Sequence, residues 1–276
     1  MLQTRFVKFA ATQPALTSLS QRCLLSTSRI ALQSGEKSEK KSKNEQLDIN
    51  VRHIGVASDI YIPPTWRRMP NMILHPISFF NVLIRKIYTL GFNTVQIAVF
   101  RNQSGIKPKF LLWKNNAIET YVNINKAFAE RKIEKVSSQL SIWAEDALKK
   151  RQNKIPKNIK LDWKLLKFNE VPKLVSLQPL ILPGQPLEHI QLVYRFNTKQ
   201  RLLKLDKDSK DVEKVDRDVT DFVVFLCDAS TNEVLLIGSV FESKPDAKLP
   251  KNYDSDNKSA VARMRECGDI YRSQIP

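Results

Sequence analysis

The chain has 276 residues, 42% of them hydrophobic, and a formal net charge of +17. That apolar content excludes a disordered chain, and only seven glycines exclude a collagen-like repeat. Three cysteines and three histidines, none at metal-ligand spacing, exclude a structural zinc site, and no cofactor is expected.

The charge is unevenly placed. Residues 1–35 carry +4, 61–130 carry +7 and 131–170 carry +6, whereas 36–60 and 171–276 balance. A surplus confined to the middle of the chain suits a polyanionic partner, either RNA phosphates or an anionic leaflet.

Glu36 is the first acidic residue. Ahead of it Leu2, Phe6 and Phe9 share one side of a helical wheel, and Arg5 and Lys8 share another. The segment Ala10 to Leu19 is too diluted with polar residues for a secretory core, so 1–33 reads as a cleavable mitochondrial presequence. Arg22, just ahead of Leu24-Leu25-Ser26, places the mature end between Leu25 and Ser34. Residues 34–50 mix charges without an apolar period and read as a disordered tether.

Residues 51–108 read as an extended and amphipathic arm. Pro63, Pro64 and Pro70 favour extended backbone, and Trp66 beside Arg67 and Arg68 suits a membrane interface, an RNA groove or packing on the arm's own domain. Met72 to Leu90 is broken by Asn71, Pro76, Asn81, Arg85 and Lys86 before the ~20 apolar residues of a membrane span accumulate. Its apolar positions recur at helical spacing, which predicts a helix lying in an interface or packed on the next domain. Trp66, Arg67, Arg68, Phe79, Phe80, Arg85 and Lys86 are the candidate membrane-facing residues.

Residues 109–276 read as an α+β domain. Trp113, Ala117, Tyr121, Ile124 and Phe128 predict one core-facing helix over 109–131, and Val136, Leu140, Trp143, Ala147 and Leu148 a second over 133–151. Beyond Pro156 the period becomes two, at Leu161, Trp163 and Leu165, then 174–181, then Ile190 to Phe196. Further strands are predicted at 201–205, 221–227 and 233–241, the last two joined by a turn. Paired helices followed by strands imply helices packed on one face of an antiparallel sheet.

The densest basic run is Lys149, Lys150, Arg151, Lys154, Lys157, Lys160, Lys164 and Lys167, with Asp162 its single acid. One or two cations complement a helix C-terminus, but eight favour phosphate binding. An enzyme would have to use His189 with Glu188 or Asp162, and nothing in their spacing brings them together. Cys227 lies in an apolar run and reads as a core residue.

Three stretches, RNQSGIKPKFLLWKNNAIETYVNINKAFAERK, LDWKLLKFNEVPKLVSLQPLILPGQPLEHIQLVYRF and LCDASTNEVLLIGSVFESKPDAKLPKNY, are similar to the family of the yeast mitochondrial inner-membrane ribosome receptor. That family shares a superfamily with the C-terminal domain of the matrix import-motor subunit and a metazoan large-subunit mitoribosomal protein, which implies paired helices packed on a curved antiparallel sheet, a cystatin- or NTF-like cup. The resemblance implies a non-catalytic, peripheral protein on the matrix face of the inner membrane. Its implied partners are the mitochondrial large ribosomal subunit near the exit tunnel, an Oxa-type insertase, inner-membrane lipids and nascent membrane proteins. A stoichiometric structural protein of the mitochondrial large subunit is the alternative.

Overall fold

The structure, a computed structural model, describes residues 50–182, 185–206, 212–250 and 257–274. The predicted presequence and nearly all of the tether lie outside the described residues. Four antiparallel strands, β1 (Ile159–Leu180), β2 (His189–Asp206), β3 (Val212–Asp228) and β4 (Val234–Val240), form one sheet in sequence order. Helices α1 (Pro76–Ser104), α2 (Phe110–Ala129) and α3 (Ile142–Asn153) precede the sheet, and α4 (Asn257–Gly268) follows it.

Both faces of the sheet's central part are buried. On one side Trp113, Tyr121 and Ile124 of α2 and Leu148 of α3 meet Leu192, Tyr194, Phe196 and Phe225. On the other, Val56 and Ile62 from the chain ahead of α1 pack with Val193, Val224, Ile237 and Cys267. Ile62 N–H donates to Ser243 Oγ at 3.0 Å, and Ser243 N–H returns a bond to Ile62 O at 2.9 Å, so the arm lies along the strand exit of its own domain.

The helix ends follow local chemistry. Pro76 opens α1, where a missing N–H costs nothing, and Gly105 closes it at φ 69° with its N–H on Arg101 O. Ser141 caps α3, its hydroxyl accepting from Ala144 N–H. Along one side of α1 the Asn93 side chain donates to Val175 O at 2.9 Å and accepts from Leu177 N–H at 3.3 Å, filling the place of a neighbouring strand.

Three expectations are corrected. The second helix starts at Ile142, because 133–139 form a 3₁₀ segment with non-helical backbone at Val136, and Leu140 leaves it to bridge Leu236 of β4. The buried stripe of α3 is therefore Ala144 and Leu148, while Trp143 is half-buried and donates to His53 O. The amphipathic helix predicted within 72–90 runs on to Ser104. The short strands at 161–165 and 174–181 are one bulged strand, and those at 190–196 and 201–205 are likewise one.

Tyr121 joins the helices to the sheet: its hydroxyl donates to Asp221 Oδ2 at 2.6 Å and accepts from Gln200 Nε2 at 2.8 Å. Burial pushes the Asp221 carboxyl above its ordinary 3.8, partly offset by the Tyr121 bond. The native state therefore holds this proton more tightly than the unfolded chain. The Asp221 contribution to stability is full below about pH 3.8 and is lost as pH rises through the raised native value. Denaturant titrations of the wild type and Asp221→Asn should show the variant gaining relative to the wild type as pH rises from about 4 toward 7. A difference that stays constant with pH would mean the carboxyl is not perturbed.

Candidate polyanion-binding surface

The eight cations of the basic run divide into two groups. Lys149 lies 2.7 Å from Glu145 and Lys150 2.6 Å from Asp146, each one helical turn away on α3. Arg151 makes two bonds to Asp269, 3.0 Å from Nε to Oδ1 and 2.6 Å from Nη2 to Oδ2. Lys164 lies 3.3 Å from Asp162. Lys154, Lys157, Lys160 and Lys167 have no ion pair among the described residues, so their charge is available to a partner. Single exposed pairs such as those of Lys150 and Lys164 hold by only about 0–1 kcal/mol and can open, whereas the two-bond Arg151–Asp269 pair is geometrically fixed.

Register sets three lysines of the run on one face of the sheet. On β1, Lys160, Lys164 and Lys167 pair with Leu205, Arg201 and Lys199, positions of one face, while Leu161, Trp163 and Leu165 pair with Lys204, Leu202 and Gln200 on the other. Trp163 turns to the helix side, where its Nε1 donates to Gln200 Oε1 and its ring meets Tyr121 edge-on. The opposite face is free to carry charge. Arg201 there is held by Asp216 through two bonds, at 2.7 and 2.9 Å.

At the start of β1 a groove of about 520 Å³ is lined by Arg131, Lys132, Lys157 and Lys160, with Glu130 and Asp162 as its acids. Arg131, at φ 60°, donates from Nη2 to the carbonyls of Ile155 at 3.1 Å and Pro156 at 2.5 Å, which fixes the loop bearing Lys157. Sequence reasoning missed Arg131 and Lys132, because they lie some 25 residues ahead of the loop and no periodicity links a helix end to a strand start. The groove can bind a multiply charged anion such as a run of backbone phosphates.

The candidate membrane-facing residues separate. Trp66 is 67% exposed and Lys86 Nζ sits 4.2 Å above its ring. Burial, reinforced by the Arg195 charge, holds the Lys86 amine below its ordinary value. Phe80 is exposed and Phe79 half-buried, their rings edge-on. Arg85 turns inward, donating to Pro245 O at 2.9 Å, and Arg68 pairs with Glu242 at 3.4 Å. The side chain of Arg67 lies outside the described residues.

His189 and Asp162 are not brought together. Fourteen residues of β2 separate His189 from Leu203, the partner of Asp162, a distance of roughly 45 Å along an extended strand. His189 is buried at a cleft of about 690 Å³ rimmed by Glu119, Asp228 and Glu233, and its Nδ1 has no hydrogen-bond partner among the described residues. Cys227 is fully buried, and burial pushes its thiol far above the ordinary value, as suits a core residue.

A family model described as MBA1-like protein matches residues 40–276. A relative from Saccharomyces cerevisiae, named inner membrane mitoribosome receptor MBA1, mitochondrial, is 54% identical over 258 residues, covering 93% of each chain.

Proposed function

The chain belongs to the MBA1-like protein family, and from that membership we propose that it is a peripheral receptor on the matrix side of the mitochondrial inner membrane, docking the large mitoribosomal subunit. The observation that carries the docking role is the set of four lysines without an ion pair among the described residues, Lys154, Lys157, Lys160 and Lys167, of which Lys157 and Lys160 line the Arg131 groove. Ribosomal RNA is the dense polyanion such a surface fits, through phosphate contacts that release counterions and read no sequence. No helix among the described residues is long and apolar enough to cross a membrane, which supports peripheral attachment. In this reading the protein holds the exit tunnel near the bilayer and works beside an Oxa-type insertase as nascent membrane proteins emerge.

Cosedimentation with purified large subunits over a series of salt concentrations tests the reading. Replacing Lys154, Lys157, Lys160 and Lys167 by Gln should leave the fold intact, because these side chains lie in a loop or face away from the helices. Affinity should drop, and the salt slope should shrink by about 0.7–0.9 for each phosphate that is no longer neutralised. Lys149→Gln with Lys150→Gln should matter less, since both amines already face carboxylates. A folded quadruple variant with unchanged affinity and slope would place docking elsewhere. Wild-type protein that follows ribosomes and never membranes, in fractionated mitochondria, would favour a stoichiometric ribosomal subunit.

A further inference from the structure

Helix α1 turns most of its apolar residues outward. Its protein side combines the buried Val82 and Phe100 with polar attachments: Arg85 on Pro245 O, Asn93 on the β1 backbone, and Thr89 bonded back to Arg85 O. Only Val82, Thr89 and Phe100 of its 29 residues are buried. Its outward side is uncharged and mostly apolar, interrupted by the exposed Asn81 and Thr94. Ile77, Phe80, Ile84, Ile87, Tyr88, Val95 and Val99 recur at intervals of three, four and seven residues and remain between 39% (Val99) and 77% (Ile77) exposed. The stripe runs about 33 Å along the helix and contains no charged side chain. An apolar stripe of this length is normally covered by a partner or a membrane.

The charge around the stripe selects its occupant. Between Asp59 and Glu119 the chain has no Asp or Glu, while Arg67, Arg68, Arg85, Lys86, Arg101, Lys107, Lys109 and Lys114 supply eight cations. Arg101, Lys107 and Lys109 are exposed at and just beyond the C-terminal end of α1, and the Trp66–Lys86 pair lies near its N-terminal half. Asp59 beside Tyr88 and Glu242 on Arg68 offset only part of this charge, and an uncharged apolar stripe in a net cationic setting is complementary to an anionic lipid surface: apolar side chains enter the acyl boundary while cations remain among headgroup phosphates. A second copy of the chain would instead bring one net cationic surface against another.

We infer that α1 lies in the plane of the membrane, its Ile77–Val99 stripe immersed at the headgroup boundary, and that it is the lipid-binding element of the protein. The inference rests on the proposed membrane-side receptor role and names the surface that performs it. Because Asn93 fastens α1 to β1, lipid binding also fixes the orientation of the sheet relative to the bilayer.

Flotation of the full-length mature protein with phosphatidylcholine vesicles, with and without cardiolipin, tests it. Wild-type protein should float with cardiolipin vesicles, weakly with neutral ones, and more weakly as salt rises. Changing Ile77, Ile84, Ile87 and Val95 together to Gln should lower the partition at least tenfold without altering the melting temperature or large-subunit cosedimentation. A nitroxide on Ile84→Cys, selective because Cys227 and Cys267 are buried, should become accessible to oxygen and shielded from aqueous relaxants on vesicle binding. Unchanged flotation of the quadruple variant, a water-accessible nitroxide, or a dimer abolished by the variant while flotation persists would each overturn the inference. Loss of ribosome binding in the Lys→Gln variant with normal flotation would leave it standing, so failure of the docking reading is distinguishable.

Discussion

Replacing Trp113 by alanine is expected to cost about 3–5 kcal/mol of folding stability, a large share of the 5–15 kcal/mol typical of a domain. Trp113 is fully buried, and its ring meets Phe110 edge-on at 5.5 Å. Its Nε1 donates to Asn232 Oδ1 at 3.1 Å, and Asn116 Nδ2 reaches Asn232 O at 2.9 Å. Asn232 sits at φ 63°, a left-handed conformation that the β3–β4 turn requires and these two bonds secure. Deleting the indole therefore opens a cavity and releases the turn together. Trp113→Phe should cost less, because it keeps most of the volume and gives up only the hydrogen bond. Urea denaturation of both variants measures the difference, and equal destabilisation would show that the retained ring volume contributes nothing.

Gly238→Ala should destabilise the protein by about 2–5 kcal/mol, combining backbone strain with overpacking. A Cβ at position 238 would stand 2.4 Å from the carbonyl oxygen of Cys267, and φ at this residue is +156°. β4 cannot retreat, since β3 holds it on one edge through the Val224–Gly238 pair. The end of α4 must move instead, carrying Asp269 away from Arg151. Gly268 has a similar contact, its Cβ position lying 2.7 Å from Trp143 O. The alanine variant should melt earlier and release its C-terminal segment to limited proteolysis first. An unchanged proteolysis pattern would mean that α4 is not held by this contact.

The central fold was legible where burial is one-sided. Of the α2 stripe, Trp113, Ala117, Tyr121 and Ile124 are buried and Phe128 is half-buried at the C-terminal end, because that face of the helix lies against the core. Periodicity failed at 166–173 in β1, 197–200 in β2 and 212–220 in β3, where most side chains are exposed or half-buried and continuous backbone pairing, not side-chain burial, maintains the strands. In α1, Arg85 and Lys86 read as interruptions of an apolar segment, whereas Arg85 and Asn93 are the groups that attach the helix to its own domain. The basic run showed charge but not its use. Arg151 looks like any other cation until Asp269, 118 residues later, is found bonded to it.

β1 and β4 terminate the sheet, and a terminal strand is an open template on which another chain can pair. On β4, Leu140 bridges Leu236 and Arg272 Nη2 donates to Ser239 O, so part of that template is occupied. On β1 the Asn93 amide occupies Val175 and Leu177, and the remaining stretch, Ile159 to Phe168, is guarded by Lys160, Lys164 and Lys167. In the proposed role, beside emerging membrane proteins, the chain would meet strand-forming segments with every translated message. The same lysines that suit phosphates also repel such recruitment, so neutralising them should make the chain adhesive as well as weaken docking.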